Sequence, residues 1–236
     1  MDYKKTATKI EDFIHKEMNG FNQGFIGLSG GIDSSIVATL AVNALGKDKV
    51  YGIIMPYYCN EDTEDAVKLA KKLGIRYSVI SIRNMVASFR KPDISNTNLV
   101  KGNLMARIRM CVLYSYSNSN NGLVLGTTNK TEMLVGYFTK HGDGAVDIEP
   151  IAHLYKTEIF ELAKYLKIDK KLIDKKPSAG LWLGQTDEEE LGIDYITLDK
   201  MLKCKPPEES KHKIDLVLKL MKKAKHKITF PKNLES

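Results

Sequence analysis

The chain has 236 residues, 43% of them hydrophobic, and a formal net charge of +7. That is enough apolar material for a packed core, and no apolar run approaches the length of a membrane span, so a soluble cytoplasmic protein is expected. Cys59, Cys111 and Cys204 are far apart and form no C-x-x-C, which argues against a disulfide framework or a zinc site.

Taken in order, Ile10, Phe13, Ile14 and Met18 recur at helical spacing and predict an amphipathic helix over 6–18. Phe25, Ile26 and Leu28 form a short strand that breaks into Ser29-Gly30-Gly31, and a helix over 33–45 follows, closed by Gly46-Lys47-Asp48. A second strand is read at 50–55, then a loop at 56–60, and a helix at 61–73 that is acidic at its start and ended by Gly74. A strand at 77–82, a polar loop at 91–98, a long helix at 100–116 and a strand at 123–126 come next. Ile151 is assigned to a further strand, and helices at 156–167, 194–203 and 208–223 complete the chain. Alternating strands and helices predict an α/β fold: an open, doubly wound parallel sheet of about five strands with helices on both faces. The turns after the first and fourth strands are expected to meet beyond the carboxyl edge of such a sheet. The whole of 1–236 is read as one domain, with no glutamine-hydrolysing domain.

The turn Gly27-Leu28-Ser29-Gly30-Gly31-Ile32-Asp33-Ser34 carries the clearest chemistry. A strand, a glycine turn and a helix N-terminus make an anion site from backbone N–H groups and the helix dipole. The turn lacks G-x-x-x-x-G-K-[ST] and G-x-G-x-x-G, which excludes a P-loop and a dinucleotide fingerprint. Asp33 would repel phosphate unless a cation lay between them, which suggests Mg²⁺. The motif S-G-G-x-D-S resembles the pyrophosphate-binding loop of the ATP pyrophosphatase superfamily, which cuts ATP between the α- and β-phosphates.

Other stretches add candidates. Glu132, after Gly126-Thr127-Thr128-Asn129, reads equally as a second Mg²⁺ ligand or as a helix first-turn acid. The segment 136–147 packs three glycines, two acids and a lysine into a binding-type loop. Arg107 and Arg109 share an otherwise apolar helix, where one of them should face solvent. Residues 175–192, with the sole Trp182, read as a lid or as an ordinary surface loop. Lysines crowd 200–232, and although no nucleic-acid module is recognisable, the positive balance reads as a nucleic-acid partner, a small polyanionic substrate or a solvated helical face, and alone decides nothing.

Later blocks narrow the resemblance: Gly102-Asn103…Arg107-Ile108-Arg109-Met110, Leu125-Gly126-Thr127…Glu132, Thr139-Lys140…Gly142-Asp143-Gly144, Lys176-Pro177-Ser178-Ala179 and Thr186-Asp187-Glu188…Glu190-Leu191-Gly192. Together with the loop they resemble the ammonia-dependent NAD⁺ synthetases. The resemblance implies an adenine nucleotide alpha hydrolase-like fold, and amidation of deamido-NAD⁺ by ammonia through an adenylate, with release of AMP and pyrophosphate. It implies that Gly27–Ser34, Thr127, Lys156 and Ser178 hold ATP and that Asp33 and Glu132 hold Mg²⁺. It further implies that Arg107, Lys140, Asp147, His226 and Lys227 bind deamido-NAD⁺, and that Asp143 lies near the ammonia. A homodimer is implied as well. Ser178 stands where many relatives have Thr, and Gly180 where Asp is common. Within the superfamily, a tRNA-modifying enzyme and a GMP synthase remain alternatives; a non-catalytic nucleotide-binding regulator would need neither Asp33 nor Glu132.

Overall fold

In the computed structural model, four short strands, Gln23–Gly27 (β1), Val50–Ile54 (β2), Arg76–Val79 (β3) and Gly122–Val124 (β4), pair in parallel in the order β3-β2-β1-β4. The structure describes every residue except 90, 92–94, 96, 183, 205–210, 230–232 and 235–236. Parts of the expected 91–98 loop, Leu183 of the 175–192 segment, Lys205 and Lys232 of the basic stretch, and the expected helix start at 208–210 therefore lie outside the described residues.

Successive side chains of β1 face opposite sides of the sheet, and both sides are covered. Ile26 packs with helices Tyr3–Glu17 (α1), Ile32–Leu45 (α2), Glu61–Leu73 (α3) and Lys156–Tyr165 (α7). Phe25 faces the other way, against Arg83–Ser88 (α4) and Asn98–Ser119 (α5). Both side chains are 0% exposed, and each contributes about 1.5–3 kcal/mol by leaving water. In α1 the buried Ala7, Ile10 and Ile14 recur at spacings of three and four, and Asp2 caps the helix by accepting Lys5 N–H at 3.0 Å. A third apolar cluster joins Lys130–Val135 (α6), Asp187–Leu191 (α9), Tyr195–Leu202 (α10) and Lys211–Ile228 (α11) through Val135, Leu191, Tyr195, Leu198 and Val217. The short helix Lys170–Asp174 (α8) follows α7.

The expected doubly wound arrangement is present, with four strands among the described residues instead of five. After β4 the chain makes only a single parallel bridge, Leu125 to Ile148, with Gly126 N–H donating to Ile148 O at 2.8 Å. Pro150 carries no N–H, so the ladder stops before Ile151, which sits fully buried in a turn. The apolar character of Ile151 signalled the core, not a strand. Helix α5 runs from 98 to 119, longer than 100–116, and its earlier start follows from Thr97, which caps it by accepting Val100 N–H. Helices α4, α8 and α9 were not foreseen; at six, five and five residues they are too short to display a periodic pattern.

β1 is central, with β2 on one side and β4 on the other, so the chain direction of winding reverses beside it. The glycine turn leaves the sheet at that switch point, where open α/β sheets bind ligands.

Candidate active site

Residues 28–31 connect β1 to α2. Leu28 N–H still donates to Ile53 O at 2.9 Å, extending the β1–β2 ladder by one bond before the chain turns. Gly30 has φ +77°, and a Cβ there would lie 2.2 Å from Asp62 O at the start of α3. Only glycine satisfies both the backbone angle and the close approach. The serines brace the turn from within. Ser29 Oγ accepts Gly31 N–H at 3.2 Å and lies 3.1 Å from Ser34 Oγ, while Ser35 Oγ donates to Gly31 O at 2.7 Å.

The exit of β4 meets this turn, as expected. Asn129 caps α6: its side chain accepts Glu132 N–H at 3.0 Å, and Glu132 Oε2 accepts Asn129 N–H at 3.3 Å. The other end of the Asn129 amide donates to Asp33 Oδ1 at 3.1 Å. From the N-terminus of α7, Lys156 Nζ reaches both carboxylates, Asp33 Oδ2 at 2.7 Å and Glu132 Oε1 at 3.1 Å. Lys156 is 2% exposed. Burial opposes its charge, but Asp33 and Glu132 outweigh that and hold its pKa above the ordinary lysine value. Burial, reinforced by Asp33, pushes the Glu132 carboxyl up against the pull of Lys156. The start of α7 is locked in turn: Thr131 Oγ1 accepts Lys156 N–H at 2.9 Å and donates to Asp199 Oδ1 at 2.5 Å, and Asp199 Oδ2 accepts Thr157 N–H at 2.8 Å.

Two carboxylates from different elements therefore converge on one cationic point. Among the described residues no group of three or more His, Cys, Asp and Glu side chains is disposed to hold a metal alone. Two carboxylates with further oxygens from phosphate and water is the donor set Mg²⁺ favours, so the residues fit that ion.

The remaining expected residues divide into two groups. Thr127 is half-buried beside the pair of turns. Ser178 is exposed, and its Oγ accepts Gly180 N–H at 3.1 Å rather than joining the Asp33–Glu132–Lys156 group. Arg107, Lys140, His226 and Lys227 gather through backbone carbonyls. Arg107 donates to Lys140 O at 3.3 Å, Lys140 Nζ to His226 O at 2.6 Å, and Lys227 Nζ to Gly136 O and Phe138 O at 2.6 Å each. Burial pulls Lys227 below its usual value while Asp143 pulls it up. Asp143 Oδ1 accepts Thr139 N–H at 2.9 Å. Asp147 is engaged structurally as well: Oδ2 accepts Val124 N–H of β4 at 2.7 Å, and Oδ1 accepts the Tyr114 hydroxyl at 3.2 Å. Of the two arginines, Arg107 is the exposed one. Arg109 donates from Nε to Met55 O at 3.1 Å, and burial pulls it down to about 10, with Asp143 opposing.

Sequence reasoning missed several partners. Asn129 was discoverable, since Asn129-Lys130-Thr131-Glu132 has capping-box spacing. Asp187 stood in the resemblance block Thr186–Gly192 with no role attached to it. Buried at 3% exposure, it accepts the Tyr195 hydroxyl at 2.9 Å and the Tyr137 hydroxyl at 3.0 Å, and the Tyr195 ring centroid lies 5.3 Å from Lys156 Nζ. These contacts join residues brought together only by packing.

The site is a serine–glycine turn at the switch point of a parallel α/β sheet, backed by a carboxylate–lysine–carboxylate cluster. The chain belongs to the NAD synthase family, whose model matches residues 6–231. It is 46% identical over 246 residues to an NH3-dependent NAD⁺ synthetase of Thermococcus sibiricus, covering 98% of this chain and 97% of the relative. Among solved structures it is similar to an NMN synthetase from Francisella tularensis, with TM-score 0.92, 37% identity and coverage of 99% and 98% of the two chains. It is also similar to an NH3-dependent NAD synthetase from Campylobacter jejuni, with TM-score 0.83, 36% identity and 99% of each chain covered.

Proposed function

We propose that this chain is a ligase that amidates deamido-NAD⁺ with ammonia at the expense of ATP, completing NAD⁺ synthesis. The observation that carries the reading is the convergence of Asp33 and Glu132 on Lys156 directly beyond the serine–glycine turn. The nicotinate carboxylate attacks the α-phosphorus, the α–β bridging P–O bond breaks, and pyrophosphate leaves. Ammonia then attacks the carbonyl carbon of the adenylate, the C–O bond to AMP breaks, and the surplus proton passes to solvent or a nearby carboxylate such as Asp143. Neither step needs a covalent nucleophile on the enzyme; positioning and charge neutralisation suffice.

Asp33 and Glu132 would hold Mg²⁺, which supplies positive charge against the phosphate oxygens when bound. Lys156, the residues of the turn Gly27 to Ser34, Thr127 and Ser178 contact ATP in this reading. The group of Arg107, Lys140, His226 and Lys227, with Asp147, takes deamido-NAD⁺, whose phosphates suit its clustered cations. The chain acts as one domain, in the cytoplasm and as a homodimer. Val79 at the β3 edge, Phe89 just after α4 and Leu99 in the first turn of α5 are exposed apolar side chains, at 49%, 56% and 63%, of the kind an association surface would cover.

A second reading comes from one of the similar structures. The likeness to a protein described as an NMN synthetase, TM-score 0.92 beside 0.83 for the NAD synthetase, is a likeness of backbone and leaves the mononucleotide as a second acceptor to test. Purified protein with ATP, Mg²⁺ and ammonium, offered deamido-NAD⁺ or nicotinic acid mononucleotide in parallel, separates the two. Higher kcat/KM on deamido-NAD⁺ is expected. Preference for the mononucleotide would replace the first reading with the second, and turnover of neither would refute both.

A further inference from the structure

Glu149 is a carboxylate that the proposed chemistry leaves without a part, and its surroundings give it one. It follows the Leu125–Ile148 bridge, and its side chain lies against the exit of β4. Oε2 accepts Thr128 N–H at 3.1 Å. The carboxylate occupies the space that Gly126 leaves by having no side chain: a Cβ at Gly126 would stand 2.4 Å from the Glu149 carboxylate carbon. One residue of the β4 exit thus makes room for the group, and a second, two positions on, is held by it. Between them lies Thr127, and directly after them come Asn129 and Glu132.

We propose that Glu149 is a positioning residue for ATP, filling the space above Gly126 and fixing through Thr128 N–H the turn that presents Thr127. The inference rests on the ATP reading of the site, and it concerns the turn alone. Burial favours the protonated form of Glu149 most, Thr128 favours the ionised form through its hydrogen bonds, and the facing charges of Glu132 on α6 and Asp143 in the 136–147 loop favour the protonated form again.

Gly126 offers a way to evict the carboxylate without altering Glu149. The added methyl of Gly126→Ala meets the far end of a flexible side chain, so the carboxylate moves rather than the backbone. The test measures Kd for magnesium ATP by calorimetry in wild type, Glu149→Ala, Glu149→Gln, Gly126→Ala and the Gly126→Ala/Glu149→Ala double variant, with melting temperatures alongside. Calorimetry reads the turn whether or not amidation of a particular acceptor is observed. Glu149→Ala and Gly126→Ala should each weaken ATP about three- to tenfold, the value of one lost hydrogen bond. The double variant should be no worse than Glu149→Ala, and Glu149→Gln, which keeps an acceptor for Thr128, should stay within about twofold of wild type. Unchanged ATP affinity in a folded Glu149→Ala, or additive losses in the double variant, would overturn the proposal. If Glu149→Ala does not fold, Gly126→Ala binding ATP as tightly as wild type overturns it instead. Wild type that binds no ATP would refute the ATP reading itself.

Discussion

Lys156 Nζ lies 2.7 Å from Asp33 Oδ2, a contact between residues 123 positions apart. It ties the first turn of α2 to the first turn of α7, and its second bond, to Glu132, brings in α6. Removing the lysine leaves two largely buried carboxylates facing each other without a counter-charge. Lys156→Met should therefore lose about 3–5 kcal/mol of stability along with activity. Urea titration checks this, and added Mg²⁺ should restore part of the loss by replacing the missing charge. A variant as stable as wild type would show that the cluster relaxes into solvent.

Gly30→Ala combines an unfavourable backbone angle with contact against Asp62 O. That oxygen belongs to the backbone, so it cannot swing aside. We expect a protein that folds with reduced melting temperature and no measurable ATP turnover. Wild-type turnover by Gly30→Ala would mean that the turn opens away from α3 in solution.

The segment carrying Ser178 is anchored on α3 by lysines. Lys171 Nζ lies 2.7 Å from Glu61 Oε1 and 2.8 Å from Asp65 Oδ1, and Lys175 pairs with Asp62 and, at 3.6 Å, with Asp65 Oδ2. Burial raises the Asp65 carboxyl, but Lys171 and Lys175 prevail and hold it below the usual value. Replacing both lysines by Met should speed proteolysis between 175 and 186 and raise KM for ATP on the order of threefold, with kcat little changed. Arg at both positions should preserve wild-type behaviour. Equal protection of the Met variant would show that other contacts hold the segment.

Burial, with Glu132 and Asp143 adding to it, pushes Glu149 up to about 8 from an ordinary value of 4.5. The folded protein keeps that proton through a range in which the unfolded chain has released it. The group's contribution is therefore complete below about pH 4.5 and declines as pH rises to about 8. Glu149→Gln cannot titrate. Relative to it, wild type should lose stability between those limits, as read by urea midpoints at successive pH values. Parallel curves would mean that Glu149 ionises normally.

Much of this molecule is written locally. The strand, the glycine turn and the helix from 23 to 45 follow from adjacent residues, and the parallel sheet follows from alternating elements, whereas the reversal of winding beside β1 was expected from the fold type alone. Asp33 stood out because a carboxylate in an anion turn is electrostatically odd. Lys156 carried no such mark; it entered through family resemblance, and its burial between two acids is a product of tertiary packing. The same holds for Asp187 beneath Tyr137 and Tyr195, and for Glu149 above Gly126. Asp147 shows the converse: the local pattern of 136–147 pointed to a binding loop, while the structure also commits its carboxylate to the edge of β4. Ile151 was misplaced because an apolar residue fits a buried turn as well as a strand, and the neighbouring Pro150 was the decisive signal.

The account's central claim is that ATP is cleaved between the α- and β-phosphates by the carboxylate of the acceptor before ammonia reacts. Exchange of labelled pyrophosphate into ATP, measured without ammonium, isolates that step. Exchange should occur with wild type only when deamido-NAD⁺ and Mg²⁺ are both present, and should vanish in Asp33→Asn. Exchange that is indifferent to the acceptor, or release of ADP and phosphate in its place, would contradict the account.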